Sequence, residues 1–253
     1  MEKTNFGKRI ALFWAVVFAC ALLFGSVRVS AAAKTVNLAQ NKWHNSKSES
    51  YRDAYHKIKI PKTGYITLEG WEYYSLIRNI NGLKIQICNS KKKDLLLYDM
   101  WVTSYTDGET KYRSYTALKK GTYYIHIKNV GNYKLKYSFK AVSDKSGASK
   151  AKAKAIAKNK TANGLFLLGE NKNKTDWYKI QVPFARTVTF AFGAKANRYI
   201  DFKILDEKGA YVRALSLKDS AKSENARLKK GTYYIQVRRY EKDTAGLYTL
   251  KWK

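Results

Sequence analysis

The sequence predicts an all-β protein built from two tandem β-sandwich domains behind an N-terminal signal peptide. Three observations carry that expectation. Apolar and polar residues alternate with a period of two in "YHKIKI", "TVTFAF", "YYIHIKN" and "YTLKWK", the pattern of strands that bury one face. The phrase "LKKGTYYIHI" at residues 118–127 returns as "LKKGTYYIQV" at residues 228–237. Ahead of both, residues 10–24 form an unbroken apolar run between a basic head and a stretch of small residues.

The N-terminal segment is justified first. Lys3, Lys8 and Arg9 precede "IALFWAVVFACALLF", and Ala31 and Ala33 supply the A-x-A end of a secretory signal peptide over residues 1–33. The run is shorter than the roughly 20 residues that span a bilayer. This favours cleavage near Ala33 over a retained anchor, leaving no stable membrane span. "VFAC" around Cys20 falls short of a lipobox, because Phe18 is bulky and the apolar run continues past the cysteine. Cys88 is then the one cysteine left, so no intrachain disulfide is expected and each half must fold on its own core. Cys88 itself reads as a small buried hydrophobe, facing Leu205 in the other half.

The repeat sets the domain boundaries. "YHKIKIPKTGYITL" at 55–68 lies on "WYKIQVPFARTVTF" at 177–190, and "LKIQICNSKK" at 83–92 lies on "IDFKILDEKG" at 200–209. "VNLAQNK" at 36–42 matches "KAIAKNK" at 154–160, and the blocks keep their order. We therefore expect one domain over 34–143, a short flexible linker over 144–147 and a second domain over 148–253. The second domain should open as a strand within "AKAKAIAKNK". "LDEKGAY" predicts a hairpin with Gly209 at positive φ, and no amphipathic helix is predicted after the signal segment.

Within the repeated phrase, Gly121 and Gly231 fit the turn and the paired lysines point to solvent. Tyr123, Ile125 and Ile127 share the core face, as do Tyr233, Ile235 and Val237. His126 on the other face becomes Gln236, which argues for a turn and core strand over a duplicated active site.

"DWYKIQVP", "TVTFAF", the "ILDEKG" hairpin, "LKKGTYYIQV" and the closing "GLYTLKWK" together resemble the bacterial pre-peptidase C-terminal domain, over nearly all of the second half and most of the first. The resemblance implies a jelly-roll-like β-sandwich, related in fold to the collagen-binding domains of clostridial collagenases. It also implies a non-catalytic extracellular accessory module. The first half departs from the pattern with Ala54 where the second has Asp176. Some relatives hold calcium near the N-terminal linker, but "SGASKAKAKAIAKNK" offers no carboxylate for it, so no cofactor or metal is expected.

Lys and Arg number 49 against 19 Asp and Glu, a formal charge of +30. Such a balance attracts polyanions at long range. For an exported chain these are wall polymers and acidic polysaccharides, with nucleic acid bound only non-specifically. Catalytic patterns are missing: there is no G-x-S-x-G elbow and no H-E-x-x-H. His44, His56 and His126 lack zinc-ligand spacing and read as half-exposed strand residues. The lead is instead the longer length of the first half in two aromatic segments, "EGWEYYSLIRNINGLK" and "KDLLLYDMWVTSYTDGETKYRSYTA". Trp71, Tyr73, Tyr74, Trp101, Tyr105 and Tyr112 are the candidate ligand-binding residues, because aromatic faces give sugars and extended peptides a large contact at low entropic cost. The function expected is that of a secreted, non-enzymatic binding protein at a bacterial cell surface. It would engage a polysaccharide, a matrix protein or an anionic wall polymer. The alternative is an accessory protein acting in trans with a secreted hydrolase.

Overall fold

β-Branched and aromatic residues spaced two apart build sixteen strands and no helix among the described residues. The structure, a computed structural model, describes residues 35–47, 52–72, 82–103 and 113–253. The expected signal peptide and the candidates Tyr73, Tyr74, Tyr105 and Tyr112 lie outside the described residues. No helix among those residues is long and apolar enough to cross a membrane.

The first sandwich comprises β1 (Thr35–Asn37), β2 (His44–Ser46), β3 (Arg52–Ile60), β4 (Gly64–Glu72), β5 (Gly82–Cys88), β6 (Met100–Thr103), β7 (Arg113–Leu118), β8 (Gly121–Val130) and β9 (Tyr133–Ala141). One sheet has the order β1-β3-β8-β5-β6 and the other β2-β9-β4-β7. Ile58, Ile60, Ile66, Leu68, Ile85, Ile87, Ile125 and Ile127 fill the space between them, each almost wholly buried. Burial of each such side chain contributes about 1.5–3 kcal/mol, and the period of two places them all on inner faces.

The second sandwich comprises β10 (Lys154–Ala155), β11 (Thr161–Phe166), β12 (Thr175–Val182), β13 (Arg186–Leu205), β14 (Tyr211–Leu228), β15 (Gly231–Arg239) and β16 (Gly246–Trp252). Its order is β10-β12-β15-β13-β16-β11, with β14 along β13. β13 pairs with β16 over residues 190–196 and with β15 over residues 200–205, so one strand passes from one layer into the other. The register against β14 shifts between Lys195 and Ile200, where the strand turns the corner. Taking each half of β13 and β14 separately, the second sandwich repeats the strand order of the first. Gly246 permits the crossing, since a Cβ there would lie 2.4 Å from the Ala196 Cα.

The hairpin at Asp206 forms as expected, with Gly209 at φ +89° and its amide donating to the Asp206 carbonyl at 3.0 Å. The strand opening the second sandwich is shorter than "AKAKAIAKNK" suggests, only Lys154–Ala155. Ile156 instead turns into the core and accepts the Trp252 indole N–H at 2.8 Å. Segment 144–147 is tied down: Gly147 pairs with Trp177 and Asp144 meets Lys174 at 2.6 Å. His56 and His126 are buried, not half-exposed. His56 shares the inner face of β3 with Ile58 and Ile60, whereas His126 lies on the outer face of β8 and is covered by Tyr55, a neighbour that alternation along one strand does not report.

The two sandwiches pack together, and Lys34–Lys253 forms one compact unit. Tyr65, Tyr115, Ala117, Leu165 and Leu167 make a small apolar cluster at the joint. Backbone joins it, with the Leu168 amide donating to the Ala117 carbonyl at 2.8 Å. Two further bonds reach the 89–99 loop. The Leu97 amide donates to Asp243 Oδ2 at 2.9 Å and Arg198 Nη2 donates to the Tyr98 carbonyl at 3.1 Å.

Candidate functional site

The sequence places a turn and then a strand-like run after β5, and the structure folds that run back over the sheet. Asn89 starts the turn, its Oδ1 accepting the Lys91 and Lys93 amides at 2.9 and 3.0 Å. Lys92 takes a left-handed conformation at φ 61°. Gln86, pointing outward from β5, accepts the Leu96 amide at 3.0 Å and donates to Asp99 at 3.2 Å. Buried Leu96 and Met100 anchor the apolar side of the loop.

This arrangement leaves a cleft of about 450 Å³ on the outer face of the β1-β3-β8-β5-β6 sheet. Trp101 and Tyr98 form its aromatic rim, 51% and 65% exposed. Its floor carries Lys84, Lys128, Asp94 and Asp99. Lys128 Nζ donates to Asp99 at 3.0 Å and Lys84 Nζ lies 3.4 Å from the same carboxyl. Burial raises the affinity of Asp99 for a proton, but Lys128 and then Lys84 outweigh it and hold the carboxyl below its usual range. The cleft therefore offers cations, carboxylates and aromatic faces at one place. Arg198 from the second sandwich stacks over the Tyr98 ring at 5.4 Å and props the rim.

Trp71, the other described candidate, is not part of this cleft. It projects from the outer face of β4 in the opposite sheet, half-buried against Trp43, with ring centroids 5.1 Å apart. Lys134 and Lys136 lie over the Trp71 and Trp43 rings at 5.4 and 4.6 Å. The structure thus separates Trp71 from Trp101 and adds two residues that sequence reasoning missed, Trp43 and Tyr98. Trp43 carried a signal in principle, as an aromatic flanked by Lys42 and His44, whereas Tyr98 follows the apolar run 95–97 and did not stand out.

The cleft is not repeated. Lys84 pairs with Trp101 just as Asp201 pairs with Ser216, each next to the equivalent core pair Ile85–Met100 and Phe202–Leu215. Where the first sandwich has a lysine and a tryptophan, the second has a serine hydroxyl donating to Asp201 at 2.6 Å.

Beside the cleft lies a second group that the sequence does not connect. Cys88, Asp94 and His126 bring one ligand-type atom each to within 4.8 Å of the others. The Cys88 thiol donates to Asp94 Oδ1 at 3.1 Å. Burial, then the bond to Asp94, pushes its pKa up to about 12, the opposite of what an activated nucleophile needs.

The joint with the second sandwich also gathers charge. Asp144, Glu170 and Asp176 converge on Lys174 Nζ at 2.6, 3.6 and 3.6 Å. Carboxylates do therefore meet near the linker, from positions outside the stretch in which they were sought, and the cation they enclose is the chain's own ammonium.

No protein-family model matches the chain, and no curated protein matches it. Among solved structures, it is similar to a pre-peptidase C-terminal domain of a collagenase from Bacillus anthracis, at 21% identity over 45% of this chain and all of that one, with a TM-score of 0.35. It is also similar to the CUB1-EGF-CUB2 domains of rat MASP-1, at 9% identity over 86% of this chain and all of that one, with a TM-score of 0.26. A third is the N-terminal CBM22-1-CBM22-2 tandem domain of Paenibacillus barcinonensis Xyn10C, at 9% identity over 83% of this chain and 86% of that one, also with a TM-score of 0.26.

Proposed function

We propose that this chain is a secreted, non-catalytic binding protein of two pre-peptidase C-terminal-like modules, whose first sandwich grips an extended polymer of a cell envelope or matrix. The observation that carries the reading is the cleft rimmed by Trp101 and Tyr98 over Lys84 and Lys128. Exposed rings stack on sugar or peptide faces, while lysines held beside Asp99 orient an acidic or hydroxyl-bearing group. The second sandwich lacks this rim, which supports a reading in which the first carries specificity and the second a supporting role. The formal charge of +30 supplies long-range attraction to anionic polymers but no selectivity.

The test is a panel of polysaccharides, wall polymers and matrix proteins probed with the full chain at low and high salt. A specific ligand survives high salt, and the Tyr98→Ala/Trp101→Ala double variant loses its binding by about tenfold or more, as removal of an aromatic anchor does. Undiminished binding by that variant overturns the cleft assignment. Loss seen only with Trp43→Ala/Trp71→Ala moves the site to the opposite sheet and overturns it equally. Ligand captured only in the presence of a secreted hydrolase favours the accessory role in trans.

A further inference from the structure

We propose that Cys88, Asp94 and His126 form a binding site for a thiophilic divalent metal ion of the zinc class, with Asp53 orienting the histidine. The site does not depend on the polymer reading above. Two strands and a loop carry the ligands, and β3 carries Asp53. β5 presents Cys88 outward, the turn after it brings Asp94 into a bridge with Cys88, and β8 places His126 across from Gln86.

His126 carries the argument. The residue is only 6% exposed. Its Nε2 lies 2.9 Å from Asp53 Oδ2, so Nε2–H donates to the carboxylate and the ring's lone pair resides on Nδ1. That atom is buried and has no hydrogen-bond partner among the described residues, although it lies only 4.0 Å from Asp94 Oδ1. Tyr55 stacks flat on the imidazole at 4.2 Å and fixes its plane. A buried acceptor without a donor costs about 1–3 kcal/mol. A carboxylate on one ring nitrogen and a free lone pair on the other is how metal-bound histidines are oriented.

The donor set selects the ion. One thiol, one imidazole and one carboxylate suit a borderline-soft ion, and hard calcium or magnesium would want oxygen alone. Zinc bonds of about 2.0–2.3 Å require the three donors to close in, and the exposed carboxyl of Asp94 is the least enclosed of the three. On binding, the metal–sulfur bond replaces the S–H bond and the thiol proton passes to solvent. Lys128 Nζ, 3.8 Å from Asp94 Oδ2, opposes the incoming charge, but it is already bonded to Asp99 at 3.0 Å. The fourth position is left to solvent.

Cobalt(II) titration of the full chain tests the site, in a Cys20→Ala background so that Cys88 is the sole thiol. The expected result is one cobalt per chain, a thiolate-to-cobalt charge-transfer band in the near ultraviolet, and displacement of that band by zinc. Cys88→Ala abolishes the band. His126→Gln, which installs the residue of the second sandwich, weakens binding by at least about tenfold. Asp53→Asn, changing only a positioning residue, weakens it by about 10–100-fold. Metal-free thermal melts of the three variants establish that each folds. Cobalt uptake without the charge-transfer band, equal uptake by Cys88→Ala, or no uptake by a folded chain overturns the proposal.

Discussion

Lys174→Met is expected to lower the unfolding free energy by about 3–5 kcal/mol at neutral pH, the cost of leaving a buried charge without its partner. Lys174 Nζ also donates to the Leu165 carbonyl at 2.8 Å. Asp176 is fully buried, and its second oxygen accepts the Tyr248 hydroxyl at 2.6 Å. Burial pushes the Asp176 carboxyl up to about 6, even with Lys174 and Tyr248 pulling the other way. An acid whose folded pKa is raised contributes stability that is full below its unfolded value near 3.9 and is lost as pH rises through about 6. Without the ammonium, Asp176 holds its proton to still higher pH. The deficit of Lys174→Met should therefore shrink as pH falls from 7 to 5. Urea unfolding at three pH values measures it, and Lys174→Met/Asp176→Asn should recover part of the loss. A deficit independent of pH would refute the account.

Acid is expected to destabilise the first sandwich through His56. Its imidazole is 1% exposed, meets the Tyr133 hydroxyl through Nε2 and lies edge-on to His44, with centroids 4.8 Å apart. Burial first, and the neighbouring His44 second, push its pKa down to about 3. Its unfolded value is near 6.5, so the neutral ring contributes stability that is fully present above pH 6.5. That contribution is lost progressively as pH falls towards 3. At about 1.36 kcal/mol per unit, close to 3 kcal/mol is gone by pH 4. His56→Phe removes the titration. It should cost about 0.5–1.5 kcal/mol at pH 7, through the lost hydrogen bond to Tyr133, yet show a flatter acid limb. Because Asp176 is common to both proteins, the difference between their curves isolates His56. Parallel curves would exclude it as the source of acid sensitivity.

These two groups mark where sequence reading stops. "TDWYKIQV" and "GLYTLKW" alternate as β12 and β16, with inner residues buried as the pattern requires. Strand identity and the all-β class were thus legible. Continuity of β13 was not: "TVTFAF" and "IDFKIL" read as two strands, while the backbone carries one strand through both layers. Trp101 could be selected as an aromatic in a longer segment. Cys88, Asp94 and His126 could not be grouped, because their proximity comes from strand neighbours and a loop that folds back. Lys174 was invisible for the same reason, since its three carboxylates come from the linker, a turn and β12.

The joint between the sandwiches has a consequence for how they respond to a ligand. Leu97 and Tyr98, at the mouth of the cleft, are held through their backbone by Asp243 and Arg198 of the other half. If the cleft binds a ligand as proposed, its occupancy and the integrity of the second sandwich are reciprocal: whatever factor docking contributes to affinity, ligand returns to docking. On the proposed reading, the second half need touch no polymer to affect how tightly the first would hold it.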